Sequence, residues 1–155
     1  MSRSVRESIV LAVEPGVVWD AVMDASQLER WVTTHDSYEG AGAGPLAAGD
    51  SFTQKLRLAG KSFKVDWTVE EADRPRLARW LGDGPAGSTA KVTYRLSEED
   101  GGTRFDYENE FALPGGVIGK AAGGLLSAAP GAREARRSLE RLRTLLEGGP
   151  TEQDG

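Results

Sequence analysis

SFTQKLRL at residues 51–58 and SFKVDWTVE at 62–70 decide the fold class, because both alternate apolar and polar side chains with a period of two. Phe52, Gln54, Leu56 and Leu58 fall on one face of the first run, opposite Thr53, Lys55 and Arg57. Phe63, Val65, Trp67 and Val69 likewise oppose Lys64, Asp66, Thr68 and Glu70. Strict alternation of this kind marks antiparallel strands with one buried and one solvated face. The turn at Ala59-Gly60-Lys61 joins the two into a hairpin.

The same period continues downstream. RLARWL at 76–81 and KVTYRL at 91–96 are strands, and TRFDYENEF at 103–111 is the clearest of all. Its Phe105, Tyr107 and Phe111 share a face, with Asp106, Glu108 and Glu110 opposite. Asp73-Arg74-Pro75, DGPAG and EEDGG punctuate the runs as turns. Upstream, Val5 to Val13 reads as a first strand through IVLAV. Pro15 opens a short helix carrying Val18, Trp19, Val22 and Met23, and the spacing of Ser26 and Glu29 predicts a capping box at the start of a second. The result is an α+β domain, an antiparallel meander of about six or seven strands with two short helices between the first two.

Beyond Pro114 the pattern becomes helical. VIGKAAGGLLSAA at 117–129 is small and apolar, whereas REARRSLERLRTLLE at 133–147 is amphipathic, with Ala135, Leu139, Leu142 and Leu146 on one stripe. Pro130 is expected to kink or interrupt the helix between them. One sheet face requires a covering layer, and the long C-terminal helix supplies it by lying in the concavity. Gly, Ala and Ser in its first half cannot fill the space beneath a strongly bent sheet, so a cavity is expected there. Residues 1–147 form the single domain in this reading, and 148–155 a disordered polar tail.

Composition narrows the function classes. The 155 residues include 24 acidic and 19 basic side chains, a net charge of −5, and no cysteine. An acidic chain repels phosphate backbones, which argues against bulk nucleic-acid binding. The arginines of 133–143 alternate with glutamates as a solvated helix face. Disulfides, thiolate nucleophiles and cysteine-based metal sites are excluded. With neither a leader-like N-terminus nor about 20 consecutive apolar residues, the expected location is the cytoplasm, without stable membrane insertion.

His35 is the single histidine. It leaves no His-pair metal site, and it reads either as a hydrogen-bonded residue near the mouth of the cavity or as a ligand-contacting proton donor. Asp36 points to the opposite strand face. GVIGKAA lacks the glycine and hydroxyl spacing of a phosphate loop, and GAGAG leads toward a strand rather than opening a helix, so neither nucleotide motif stands. GAGAGPLAAGD at 40–50 reads as a mobile connection or a flap. Gln54 and Asn109 interrupt apolar faces, and each buried amide requires a protein partner, a water or a ligand. Trp67 and Tyr94 supply aromatic walls, although Trp67, like Trp19, also suits plain core packing.

In order and in local sequence the chain resembles the START-like, Bet v 1-like superfamily, the polyketide cyclase/dehydrase and lipid-transport group, with its helix-grip fold. The residues carrying the likeness are SIVLAVEPGVVWDAVMDASQLERWV at 8–32, GDGPAG at 82–87, GGTRFDYENEF at 101–111, LPGGVIGK at 113–120 and the final RRSLERLRTLLE. ERWVTTHDSYEG at 29–40 and GKSFKVDWTVEEADRP at 60–75 are similar to an actinobacterial branch described as toxin components of toxin–antitoxin modules. The resemblance implies a curved sheet wrapped around the C-terminal helix and a hydrophobic or amphipathic small molecule, lipid or polyketide-like, held between them without a cofactor or metal. Lining is expected from Trp31, His35, Gln54, Leu56, Trp67, Tyr94, Tyr107, Asn109, Ile118 and Leu125. Polyketide aromatase/cyclase activity is the enzymatic alternative, with no catalytic acid–base pair recognisable in the sequence. A toxin-like or regulatory role is the third reading, with an antitoxin-like protein or a second copy of the chain as partner.

Overall fold

A computed structural model describes residues 2–58, 60–113 and 131–148. Seven antiparallel strands form one curved sheet in the order β1-β7-β6-β5-β4-β3-β2. They are β1 (Ser2–Leu11), β2 (His35–Glu39), β3 (Ser51–Leu58), β4 (Lys61–Asp73), β5 (Leu77–Asp83), β6 (Thr89–Glu99) and β7 (Gly102–Ala112). Two short helices, α1 (Pro15–Val22) and α2 (Leu28–Trp31), lie between β1 and β2, and α3 (Ala132–Glu147) follows the sheet. This is the helix-grip architecture expected from the sequence.

Register follows from the hairpins. Pairing of Leu58 with Lys61 across the β3–β4 turn sets Gln54 opposite Val65 and Phe52 opposite Trp67. In β6 and β7, Tyr94 pairs with Tyr107 and Val92 with Asn109. The inward faces are those the alternation specified. The core contains Phe52, Val65, Trp67, Val69, Trp80, Val92, Tyr94 and Phe105 from the sheet, Val18, Trp19 and Val22 from α1, and Leu28 and Trp31 from α2. α3 packs on β1 and α2 through Ala135, Leu139 and Leu142.

β1 begins at Ser2, earlier than the apolar run suggested. Arg3 and Glu7 occupy inward positions in phase with Val5, Ile9 and Leu11, and Glu7 is held by Arg136 of α3 at 3.3 Å. Arg3 at the inward position ahead of Val5 hides the alternation where the strand begins. The outer edge of β1 is blunted by the same helix: Glu147 Oε2 accepts from the Ala12 amide at 2.9 Å, and Arg143 donates to the Val10 carbonyl at 3.1 Å. Strand edges left unpaired invite association, and these side chains occupy the free groups.

Two local expectations change. The cap ahead of α2 is Asp24, whose Oδ1 accepts from the Ser26 amide at 2.9 Å and from its hydroxyl at 2.6 Å, so the predicted box between Ser26 and Glu29 is not made. Residues 40–50 are anchored rather than free. Leu46 is buried in the core, its amide donates to the Met23 carbonyl at 2.9 Å, and the Gly49 amide donates to Val69 at 2.8 Å. One leucine among the small residues is enough to pin the segment between α1 and β4. No helix among the described residues is long and apolar enough to cross a membrane. The expectations for 114–130, including the break at Pro130 and the small-residue helical face, and for 149–155 lie outside the described residues.

Candidate functional site

The concave face is an aromatic wall before it is a cavity. Phe52, Trp67 and Tyr94 all meet Trp80 edge-on, with centroids at 5.5, 5.8 and 5.5 Å, and Tyr94 continues the series to Phe105 at 5.2 Å and Tyr107 at 6.0 Å. Tilted and edge-to-face pairs of this kind place the positive ring edge on the negative face of the next ring. Trp31 belongs to this packing. It is fully buried, with Tyr94 at 6.2 Å and Phe105 at 6.4 Å, and it serves as the floor of the core rather than lining a recess.

Two recesses of about 60 Å³ each remain along this wall. The inner one lies between the sheet, α2 and α3. Gln54, Leu56, Trp67, Trp80, Tyr94, Tyr107 and Asn109 form its sheet side, and Thr33, Thr34, Glu134 and Ser138 its mouth. The outer one is apolar, walled by Leu58, Phe63, Val65, Ala90 and Phe111. Leu56, Trp67 and Asn109 line both and form the partition. Six of the ten residues expected from the sequence therefore meet at the inner recess. His35 stands behind them, and Ile118 and Leu125 lie outside the described residues.

Three side chains form a directed polar relay. Trp67 Nε1 donates to Gln54 Oε1 at 2.9 Å, and Gln54 Nε2 lies 2.9 Å from His35 Nδ1. An indole can only donate, so the amide oxygen must face Trp67 and the amide nitrogen His35. Nδ1 of His35 is thereby the acceptor, and the neutral ring carries its proton on Nε2. Burial lowers the His35 pKa below its ordinary 6.5, against the opposing pull of Glu29 and Asp36. The structure thus answers the Gln54 question with internal partners on both sides.

Asn109 also has a protein partner: its Nδ2 donates to the Tyr107 hydroxyl at 3.1 Å. Burial raises the Tyr107 phenol above its ordinary value of 10.0, and the bond from Asn109 partly offsets this. Tyr94 is raised well above 10.0, first by burial and then by Tyr107. Both phenols are protonated donors at neutral pH. The Tyr94 side chain lines the inner recess; among the described residues the buried side-chain atoms left without a hydrogen-bond partner are the indole nitrogens of Trp31 and Trp80.

Sequence reasoning missed the recess mouth. Thr33 donates to Glu134 Oε2 at 2.6 Å through its hydroxyl and to Ser138 Oγ at 3.1 Å through its amide, which ties the end of α2 to the first turns of α3. Glu134 gives the recess a carboxylate, and Glu7 is a second one on the inward side of β1. Neither was visible in the strand patterns: Glu134 looks like one more charge on an amphipathic helix. Among the described residues no cluster suited to a metal ion occurs.

Residues 2–147 match the family model described as polyketide cyclase / dehydrase and lipid transport. The chain belongs to that family. An uncharacterized protein of Mycobacterium tuberculosis strain H37Rv is 27% identical over 100 residues, covering 64% of this chain and 70% of its own. Among solved structures, protein Ms6760 of Mycobacterium smegmatis superposes with a TM-score of 0.68 at 18% identity, over 94% of this chain and 91% of that one. Ara h 8.0201 superposes with a TM-score of 0.67 at 12% identity, over 96% of this chain and all (100%) of that one. These structural likenesses identify the fold that family members share.

Proposed function

We propose that the protein binds a small hydrophobic or amphipathic molecule along the aromatic wall, with the ligand's polar end in the inner recess and its apolar body in the outer one. The observation that carries this reading is the Tyr94 hydroxyl. This phenol, held protonated by burial, lines a recess that adjoins an apolar one across Leu56. A ligand acceptor that bonds to this donor gains about 0.5–1.5 kcal/mol. The family supports the same reading, since its description includes lipid transport. Each recess alone is far smaller than the roughly 300–1,000 Å³ of ordinary small-molecule sites. A guest therefore spans both, moving the Leu56 side chain from between them.

The test is native mass spectrometry of the protein as isolated, with extraction of co-purifying molecules, followed by calorimetric titration with naphthalene. Saturable binding that Leu56→Trp abolishes in a folded protein supports the proposal. Absence of any bound molecule together with absence of naphthalene binding refutes it.

A cyclase or dehydrase activity is the second reading, favoured by Glu134. A carboxylate at the mouth and two protonated phenols inside provide a base and hydrogen-bond donors for enolisation of a bound ketone. It requires that Glu134→Gln lower turnover of a β-ketone substrate while leaving its binding intact. Equal loss of both favours binding alone.

A further inference from the structure

On the reading that the recesses bind a ligand, we propose that its buried end is an uncharged hydrogen-bond acceptor, a ketone or ester carbonyl, and that the site discriminates against carboxylates. The argument begins with the donors. Tyr94 and Tyr107 line the inner recess with ring centroids 6.0 Å apart. The Tyr107 oxygen already accepts from Asn109 Nδ2, so its own proton is left to donate, and the Tyr94 phenol beside it is likewise held protonated by burial. Two O–H groups on one wall match the two lone pairs of a carbonyl oxygen.

Charge decides the rest. Among the described residues, no lysine or arginine lines either recess. The imidazole behind the recess, His35, presents its unprotonated Nδ1 to Gln54 rather than a cation to the recess. The carboxylate at the mouth, Glu134, is already engaged, paired with Arg137 at 3.7 Å and accepting from the Thr33 hydroxyl at 2.6 Å. A carboxylate entering here loses its hydration and meets no cation among the described lining residues; a carbonyl has no charge to desolvate. Burial that keeps both phenols protonated reinforces the difference, because the donors persist through neutral pH.

Three probes of one skeleton separate the possibilities by calorimetry at about pH 8, where a naphthoate is ionised: naphthalene, methyl 2-naphthyl ketone and 2-naphthoate. The expected result is ketone binding about tenfold tighter than naphthoate, with Tyr94→Phe lowering ketone affinity several-fold and leaving naphthalene affinity unchanged. Circular dichroism confirms that the variant is folded, and Tyr107→Phe provides a second, independent reading of the same donors. Lys120 lies outside the described residues, so Lys120→Met is titrated in parallel. The ketone preference persists in it if the phenols are its source. Naphthoate binding as tightly as the ketone, or a preference that survives Tyr94→Phe and Tyr107→Phe alike, overturns this inference while naphthalene binding leaves the hydrophobic site standing. Failure of naphthalene to bind, together with the absence of any co-purifying molecule, overturns the proposed function, and this inference with it.

Discussion

Replacing Gln54 with leucine tests the relay at its centre. Gln54 and Trp67 are each 5% exposed, so water does not take over the bond between them. In Gln54→Leu the Trp67 indole N–H stays buried with no acceptor, a loss of about 1–3 kcal/mol. The bond to His35 contributes less, about 0.5–1 kcal/mol, because the half-buried imidazole can turn to water. Leucine has nearly the volume of glutamine and regains about 1 kcal/mol through its apolar surface. The net expectation is a destabilisation of about 1–3 kcal/mol, read as a lower urea midpoint at unchanged slope by circular dichroism. A double-mutant cycle with Trp67→Phe isolates the bond, since phenylalanine removes the donor along with some ring area. The cost of Gln54→Leu should shrink by about 1–2 kcal/mol in that background. If Gln54→Leu is as stable as the native protein, or the cycle gives zero coupling, the orientation assigned to Gln54, and with it the His35 tautomer, is wrong.

The His35 pKa is lowered in the folded state, so between 6.5 and that lower value the unfolded chain binds more protons than the folded one. Stability contributed by the neutral imidazole is complete above about pH 6.5 and falls as pH drops through this window; His35→Gln should flatten the fall in a urea series from pH 7.5 to 5. Gly102→Ala drives a Cβ into the Leu11 backbone carbonyl, which no side-chain motion relieves. A loss of at least about 2–3 kcal/mol is expected, with fast amide exchange at the Leu11 end of the β1–β7 ladder; native-like exchange would show that the strand pairing is misassigned. Gly82→Ala places its Cβ 2.6 Å from Val65 Cγ1 and 2.8 Å from two Trp67 ring carbons. The ring must shift, so ligand binding and near-ultraviolet dichroism should change together, at a cost of about 1–3 kcal/mol. Leu56→Ala removes the partition and should tighten naphthalene binding despite losing about 1–2 kcal/mol of stability; weaker binding in a folded variant would place the guest elsewhere.

The strands were legible wherever their inward face was uniformly apolar. β3, β4, β6 and β7 and their facing sides follow from alternation alone, because a slip of one residue would bury Lys64 or Glu108. β1 was truncated for the opposite reason: Arg3 occupies the inward position ahead of Val5, so no apolar residue marks where the strand starts. Part of the site's wiring was nevertheless within reach. The tight β3–β4 turn fixes Gln54 opposite Val65, which leaves Trp67 on the diagonal two residues further along the same face. Asn109 and Tyr107, two apart in β7, are same-face neighbours on any strand. The mouth was not within reach, because Thr33, Glu134 and Ser138 come together only once α3 docks beside α2.

In the proposed binding mode, the partition between the recesses is the element that yields to a guest. Trp67 is restrained on three sides: Gln54 holds its indole nitrogen, Gly82 leaves the only space its ring can occupy against β5, and Trp80 meets it edge-on at 5.8 Å. Leu56 has no comparable restraint, being half-buried and free of polar obligations. Rotamer changes of such a side chain cost little beside the displacement of a hydrogen-bonded indole. A guest bound as proposed would have its length set by how far Leu56 yields and its orientation by the phenols behind it. That reading predicts that substitution at residue 56 changes ligand range without changing the fold.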